Sequence, residues 1–254
     1  MTTNRPPNFD HLAHVYRWME MATFGRALWC CRCRFLEDLR DCRTALVLGD
    51  GDGRFTARLL QENPNVRVDA VDASSQMLRA LLRNAGVHRD RVRVHQVDAR
   101  QWQPGDVKYD LIVSHFFLDC LTTDEVCALA QRLRLCTTGH TKWVVSEFVI
   151  PRGWFGKLAA WPLVTGLYLG FRLLTGLRID RLPRHREALS NAGFVLHCQS
   201  PSLKGILVSE MWTPIPALRS NQAQSANAAS EALTKTVPRG RNVIRDTYNH
   251  LRRN

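Results

Sequence analysis

Between residues 44 and 149 the chain alternates short apolar runs with stretches whose apolar groups recur at helical spacing. The runs at 44–49, 66–71, 91–97, 109–114 and 141–149 are rich in Ala, Val, Leu and Ile, and predict strands buried on both faces. The stretches at 53–62, 74–85 and 122–135 predict helices between them, with Ser74 and Thr122 or Thr123 as N-caps. This alternation implies a mostly parallel sheet covered by helices on both faces. Downstream, a helix from Leu182 to Asn191 stops at Gly193, and strands at 194–199 and 205–212, joined around Ser200 to Lys204, predict an antiparallel hairpin. Upstream, Phe9 to Glu20 and Arg26 to Leu39 carry apolar groups at helical spacing.

The first strand runs into Gly49-Asp50-Gly51-Asp52-Gly53-Arg54-Phe55. Glycines in such a turn let the backbone bend sharply and approach a ligand with no Cβ in the way. Asp72 with Ala73 ends the second strand, where a carboxylate can accept from ribose hydroxyls, and Asp98 with Ala99 follows the third. The dinucleotide pattern Gly-x-Gly-x-x-Gly fails, since its last glycine falls on Arg54 or Thr56, which disfavours hydride transfer. Gly49, Asp72, Asp98 and His115 all fall at strand carboxyl ends, where open α/β sheets bind ligands.

Gly-x-Gly-x-Gly after a strand, an acid closing the next strand, and Tyr109-Asp110-Leu111-Ile112-Val113-Ser114-His115 further on resemble the class I methyltransferases that use S-adenosylmethionine (SAM). The resemblance covers about residues 8–213 and implies a Rossmann-like, seven-stranded, mostly parallel sheet with N-terminal lid helices and a C-terminal antiparallel hairpin. It implies SAM held by Gly49, Asp50, Gly51 and Gly53, by Asp72 and Ala73, by Asp98 and Ala99 at the adenine, and by Ser114 and His115. The opening Asn8-Phe9-Asp10-His11-Leu12-Ala13-His14-Val15-Tyr16-Arg17-Trp18 resembles the quinone and menaquinone-biosynthesis branch, which places Tyr16 and Trp18 on a helix across the cofactor mouth. One departure stands out: the family carries an acid two residues before the first glycine, and here that position is Val47. The contact to the methionine ammonium is then expected from Asp50 or Asp52.

Methyl transfer to a hydroxyl or an aromatic carbon requires a base, because a proton must leave. His115, just past the fourth strand, is the first candidate, with Asp119 to orient it or to cap the next helix, and His14 and Glu147 as further choices. No cluster with metal-ligand spacing accompanies them, so no metal is expected. Ser114 is followed by His115-Phe116-Phe117 rather than by prolines, unlike the amino-group methyltransferases of nucleobases, so a specific nucleic-acid substrate is not expected.

Composition refines this picture. The formal net charge is +12. Of this, +5 belongs to residues 217–254, whose small polar runs predict a disordered basic tail. The organisation expected is lid helices over 1–40, a SAM-binding domain over 41–216 and that tail. An apolar insertion at 154–177 includes an uncharged run too short to span a bilayer, and suits an apolar or aromatic small-molecule acceptor. Together the insertion and tail admit peripheral contact with an anionic membrane. No signal-like segment opens the chain, and eight cysteines without a secretory context are expected to be reduced, so a cytoplasmic location is expected. Two functions fit: a SAM-dependent methyltransferase acting on the oxygen or carbon of a small acceptor, or a SAM-fold binding or assembly module without catalysis, which the loss of the acid at Val47 favours.

Overall fold

The computed structural model describes Phe24, residues 26–150 and residues 182–216. Tyr16, His14, Trp18, the 154–177 insertion and the basic tail lie outside the described residues. In chain order the elements are α1 (Ala27–Arg32), β1 (Thr44–Leu48), α2 (Arg54–Glu62), β2 (Arg67–Asp72), α3 (Ser75–Ala85), β3 (Val92–Gln96), β4 (Tyr109–His115), α4 (Thr123–Leu135), β5 (Thr137–Phe148), α5 (His185–Asn191), β6 (Phe194–Ser202) and β7 (Leu207–Pro214).

Seven strands form one sheet in the order β3-β2-β1-β4-β5-β7-β6. The first five are mutually parallel, and β7 inserts antiparallel between β5 and β6. The chain direction across the sheet therefore reverses between β1 and β4, and the mouth at this switch point is where such sheets receive ligands. Strand alternation divides the core in two. Ala45, Val47, Val68, Ala70, Leu111 and Val113 pack with Phe55, Leu59, Leu60 and Leu81 of α2 and α3. Leu46, Leu48, Val71, Ile112, Trp143 and Val145 pack with Val126, Leu129 and Leu133 of α4 and with Leu189 of α5.

The caps follow the sequence. Ser74 Oγ accepts from Met77 N, and Thr122 forms a reciprocal capping box with Glu125 at the start of α4. The predicted helix over 26–39 is corrected: it breaks after Arg32, and Leu36–Leu39 is a separate 3-10 turn. The Cys31 carbonyl explains the break. It accepts from the hydroxyls of Ser209 (2.7 Å) and Ser146 (3.4 Å) and from Arg34 N in a tighter turn, rather than from the amide four residues on. Those two serine contacts tie the end of α1 to β7 and β5. Among the described residues no helix is long and apolar enough to cross a membrane.

Candidate active site

Three glycines follow β1, all at positive φ: Gly49 at 61°, Gly51 at 62° and Gly53 at 78°. Their surroundings differ. A Cβ on Gly53 would lie 2.6 Å from the Leu81 backbone, so this glycine brings α2 against α3. A Cβ on Gly49 would lie 2.3 Å from Phe117 Cδ2, so this glycine seats an aromatic ring from the loop after β4. A Cβ on Gly51 would meet nothing within 4 Å. Of the three, Gly51 alone faces open space, and it is where a ligand can reach the turn.

The acids beside this opening are already engaged. Asp50 Oδ2 accepts from Thr56 N (2.8 Å) and Thr56 Oγ (2.7 Å), which closes the turn onto the first residues of α2. Burial pushes its carboxyl up to about 6, against the pull of those two bonds and of the Arg32 cation. Asp52 pairs with Arg54 at 3.2 Å. Asp72 Oδ1 accepts from Ser74 N at 2.8 Å, fixing the carboxylate at the end of β2.

Asp98 holds Arg100 in a fork: Nε lies 3.0 Å from Oδ1 and Nη2 lies 2.5 Å from Oδ2. Arg100 also reaches Glu125 at 3.1 Å. Burial of the Asp98 carboxyl opposes ionisation, but the Arg100 bonds outweigh it and hold the group below its ordinary range. Arg100 N also lies 2.9 Å from Oδ1 and Nε 2.9 Å from Oδ2, so Arg100 engages the roughly four acceptor positions of the Asp98 carboxylate by itself.

Two expected contact residues have side-chain partners within the fold. Ser114 is fully buried, and its hydroxyl accepts from Trp143 Nε1 at 2.9 Å on the α4 side of the sheet. The next residue points to the other side by strand alternation, so the His115 ring packs edge-on against Phe55 with centroids 4.5 Å apart. Its Nδ1 meets Ser146 Oγ at 2.8 Å and its Nε2 is buried without a hydrogen-bond partner. Burial, reinforced by the Arg32 charge, holds His115 well below the usual imidazole range and therefore neutral. Val47 is buried among the apolar residues of α2 and β4, so no polar group replaces the missing acid at that position.

Phe116 has a φ of 53°, a strained value for a bulky residue. This left-handed step carries Phe116 toward Phe148, with ring centroids 5.0 Å apart, and leaves Phe117 over Gly49. Beneath the loop, Glu147 Oε1 accepts from Leu118 N at 2.9 Å, while its Oε2 is buried without a partner. Burial and the nearby Asp119 charge raise Glu147 well above the ordinary carboxyl range. Further along the same face, Glu210 is saturated by His185 Nε2 (3.2 Å), Arg186 Nε (2.6 Å) and Trp212 Nε1 (2.8 Å).

A family of methyltransferase domains matches residues 45–139, from β1 through the start of β5. Residues 45–139 are thus similar to a methyltransferase domain. The trans-aconitate 2-methyltransferase of Azoarcus sp. strain BH72 is 35% identical over 96 residues, which cover 38% of this chain and 36% of that protein. The chain thus spans little more than a third of the curated relative it matches. Among solved structures, the mitomycin 7-O-methyltransferase MmcR superposes with a TM-score of 0.61 at 17% identity, covering 81% of this chain and 60% of its own. A TehB-like SAM-dependent methyltransferase from Corynebacterium glutamicum gives 0.53 at 16% identity, covering 79% and 96%. At these identities the two structures speak to the fold, and they share the architecture expected from the sequence.

The methyltransferase domain implies SAM as cofactor, and the residues present fit it. Gly51 leaves backbone open to a ligand, and Asp72 is fixed at the end of β2, where a carboxylate could accept from ribose hydroxyls. Sequence reasoning missed the placement of two residues, Phe117 over Gly49 and the buried cation Arg32 against the Phe116 ring. The first glycine signals a close neighbour without saying which. Arg32 sits in a stretch of Leu, Trp and Cys, an unusual setting for a cation and the one hint available.

Proposed function

We propose that the chain is a SAM-dependent methyltransferase that acts on the oxygen or carbon of a small apolar or aromatic acceptor. The observation that carries this reading is the open face of Gly51 at the topological switch point, with Asp72 at the end of the adjacent β2 and Asp98 in the loop after β3, the next strand out. When bound, SAM supplies an electrophilic methyl group. The chain's own contribution is alignment of the acceptor and exclusion of water, together with a site for the departing proton.

Glu147 and Asp119 supply that site better than His115. His115 is enclosed by Phe55 and Ser146, and donating or accepting through Nε2 would require Phe55 to move. Glu147 already aims an unpartnered oxygen inward beneath Leu118, and Asp119, also buried, lies beside it. The Glu147 carboxyl, raised by burial and by Asp119, can when ionised take up the proton of an acceptor hydroxyl or ring carbon and release it to solvent later. The aromatic residues Phe116, Phe117 and Phe148 at the same end of the sheet favour an apolar acceptor.

The test is a methyl-transfer assay with a panel of phenols, quinols and small carboxylic acids, run beside calorimetric titration with SAM. Transfer to an aromatic hydroxyl or ring carbon supports the reading. Cofactor binding without transfer to any member supports the second reading, a SAM-binding module, which the apolar Val47 favours.

A further inference from the structure

On the reading of this mouth as a SAM site, the base of the cofactor's adenosine falls at the end of β3. The strand ends are tied side by side there: Gly49 N donates to Val71 O at 2.9 Å, and Val97 N donates to Asp72 O at 3.1 Å. The glycine turn, Asp72 and the loop that begins at Val97 therefore follow one another across β1, β2 and β3, at about 5 Å per strand. A nucleoside that meets Gly51 on one side and offers its ribose hydroxyls to Asp72 extends its base toward Asp98 and Ala99. The adenine amino group is a donor, so a site that reads it must offer an acceptor.

The acceptors of Asp98 and Ala99 are already engaged. Arg100 N and Nε fill Asp98 Oδ1, and Nε and Nη2 fill Oδ2. The Asp98 carbonyl accepts from Gln101 N at 2.8 Å and from Trp102 N at 3.0 Å. The Ala99 carbonyl accepts from Arg132 Nη2, on α4, at 3.0 Å. Arg100 is held from its other end as well, because Nη1 lies 3.1 Å from Glu125 Oε1. These ion pairs occupy one N–H on each guanidinium nitrogen of Arg100, so two of its five donors have no partner among the described residues. The end of β3 thus presents spare donors where an open carboxylate would present acceptors. Donors suit a ring nitrogen or a carbonyl oxygen of a base, and an amino group gains nothing from them.

We propose that this protein does not read the adenine amino group, and that it takes purine nucleoside thioethers with oxygen or hydrogen at position 6 nearly as well as S-adenosylhomocysteine. Arg100 sets this breadth: by filling Asp98 it commits the carboxylate to its own loop and turns an acceptor edge into a donor edge. An open carboxylate at residue 98 would instead reject a 6-oxo base, whose carbonyl would face it with no proton between them. The difference lies in ligand selectivity, so it is read from binding alone.

Isothermal titration of the full chain with three ligands decides it: S-adenosylhomocysteine, S-inosylhomocysteine, which carries oxygen at position 6, and the purine counterpart with hydrogen there. Wild type should bind both analogues within about threefold of S-adenosylhomocysteine, whereas loss of a charge-assisted contact would cost them about tenfold or more. Arg100→Gln releases Asp98 and should weaken the 6-oxo ligand about tenfold. It should leave S-adenosylhomocysteine nearly unchanged, because the new amino contact is offset by desolvation of the freed carboxylate. Arg100→Lys, whose ammonium covers fewer of the acceptor positions, should fall between. Should Arg100→Gln not fold, the two analogues on wild type still decide. A loss of about tenfold or more for either analogue on wild type overturns the proposal, as does a folded Arg100→Gln that binds the 6-oxo ligand like wild type. Failure of wild type to bind any of the three would instead overturn the cofactor reading on which the inference rests.

Discussion

The Phe117 ring lies so close to Gly49 that a Cβ at residue 49 would come within 2.3 Å of Phe117 Cδ2. The first glycine of the turn is therefore needed by the protein's own packing, before any ligand arrives. Gly53 serves packing too, against Leu81, which leaves Gly51 as the turn glycine open to a ligand. This division sorts three similar residues into different roles.

Gly51→Ala should leave a folded protein, because only the left-handed φ of 62° opposes it, at about 1 kcal/mol. Gly53→Ala meets the same backbone strain and also the Leu81 backbone at 2.6 Å, for a loss of about 3 kcal/mol. Urea denaturation measures both. S-adenosylhomocysteine titration of Gly51→Ala should then show weakened binding in a protein of nearly normal stability.

Asp50→Asn separates cap from charge. The Asn carbonyl can still accept from Thr56 N and Oγ, so the turn stays closed. In wild type the Asp50 carboxyl is raised from 3.8 to about 6, so the folded state binds its proton more readily than the unfolded state. Its contribution to stability is thus full below the unfolded value and is lost as pH rises through the folded one. The stability of Asp50→Asn relative to wild type should therefore increase between about pH 4 and pH 7, measured as paired urea midpoints. A constant difference across that window would mean that Asp50 titrates normally.

Glu147→Gln should preserve the bond to Leu118 N and remove the ionisable group. If Glu147 and Asp119 take the acceptor's proton, kcat falls by about a hundredfold with little change in KM. Because burial and Asp119 raise Glu147, the wild-type rate should climb with pH above the ordinary carboxyl range, and the variant should lose that limb. His115→Gln, by contrast, should lower thermal stability and leave the shape of the pH profile intact.

The Arg100 fork makes a fourth prediction. Asp98→Asn replaces one carboxylate oxygen by an amide that cannot accept from Arg100, so the loop after β3 loses its anchor to Glu125 and α4. S-adenosylhomocysteine affinity should drop by about tenfold, with a loss of about 1–2 kcal/mol in stability. Arg100→Gln should cost stability alone, since Asp98 keeps its acceptors.

Much of the architecture was legible because its determinants are local. Apolar runs mark the central strands, Ser74 and Thr122 mark helix starts, and the turn glycines adopt the positive φ that suits that residue type, whereas β3, at the sheet edge, alternates Val92 and Val94 with Arg93 and His95 and is not buried on both faces as expected. What was not legible depends on tertiary placement. Ser114 and His115 look equivalent in sequence, yet strand alternation sends one side chain to Trp143 and the other to Phe55. The break after Arg32 arises from serines on β5 and β7 more than a hundred residues away. Burial of the Arg32 cation at the end of β4 has the same origin.

The central claim, that the turn from Gly49 to Gly53 receives SAM, is tested most directly by calorimetric titration of the full chain with SAM and with S-adenosylhomocysteine. The account predicts saturable binding at one site per chain, mutual competition between the two ligands, and loss of both in Asp72→Ala. Absence of heat at high protein concentration, or binding undisturbed in Asp72→Ala, would contradict it.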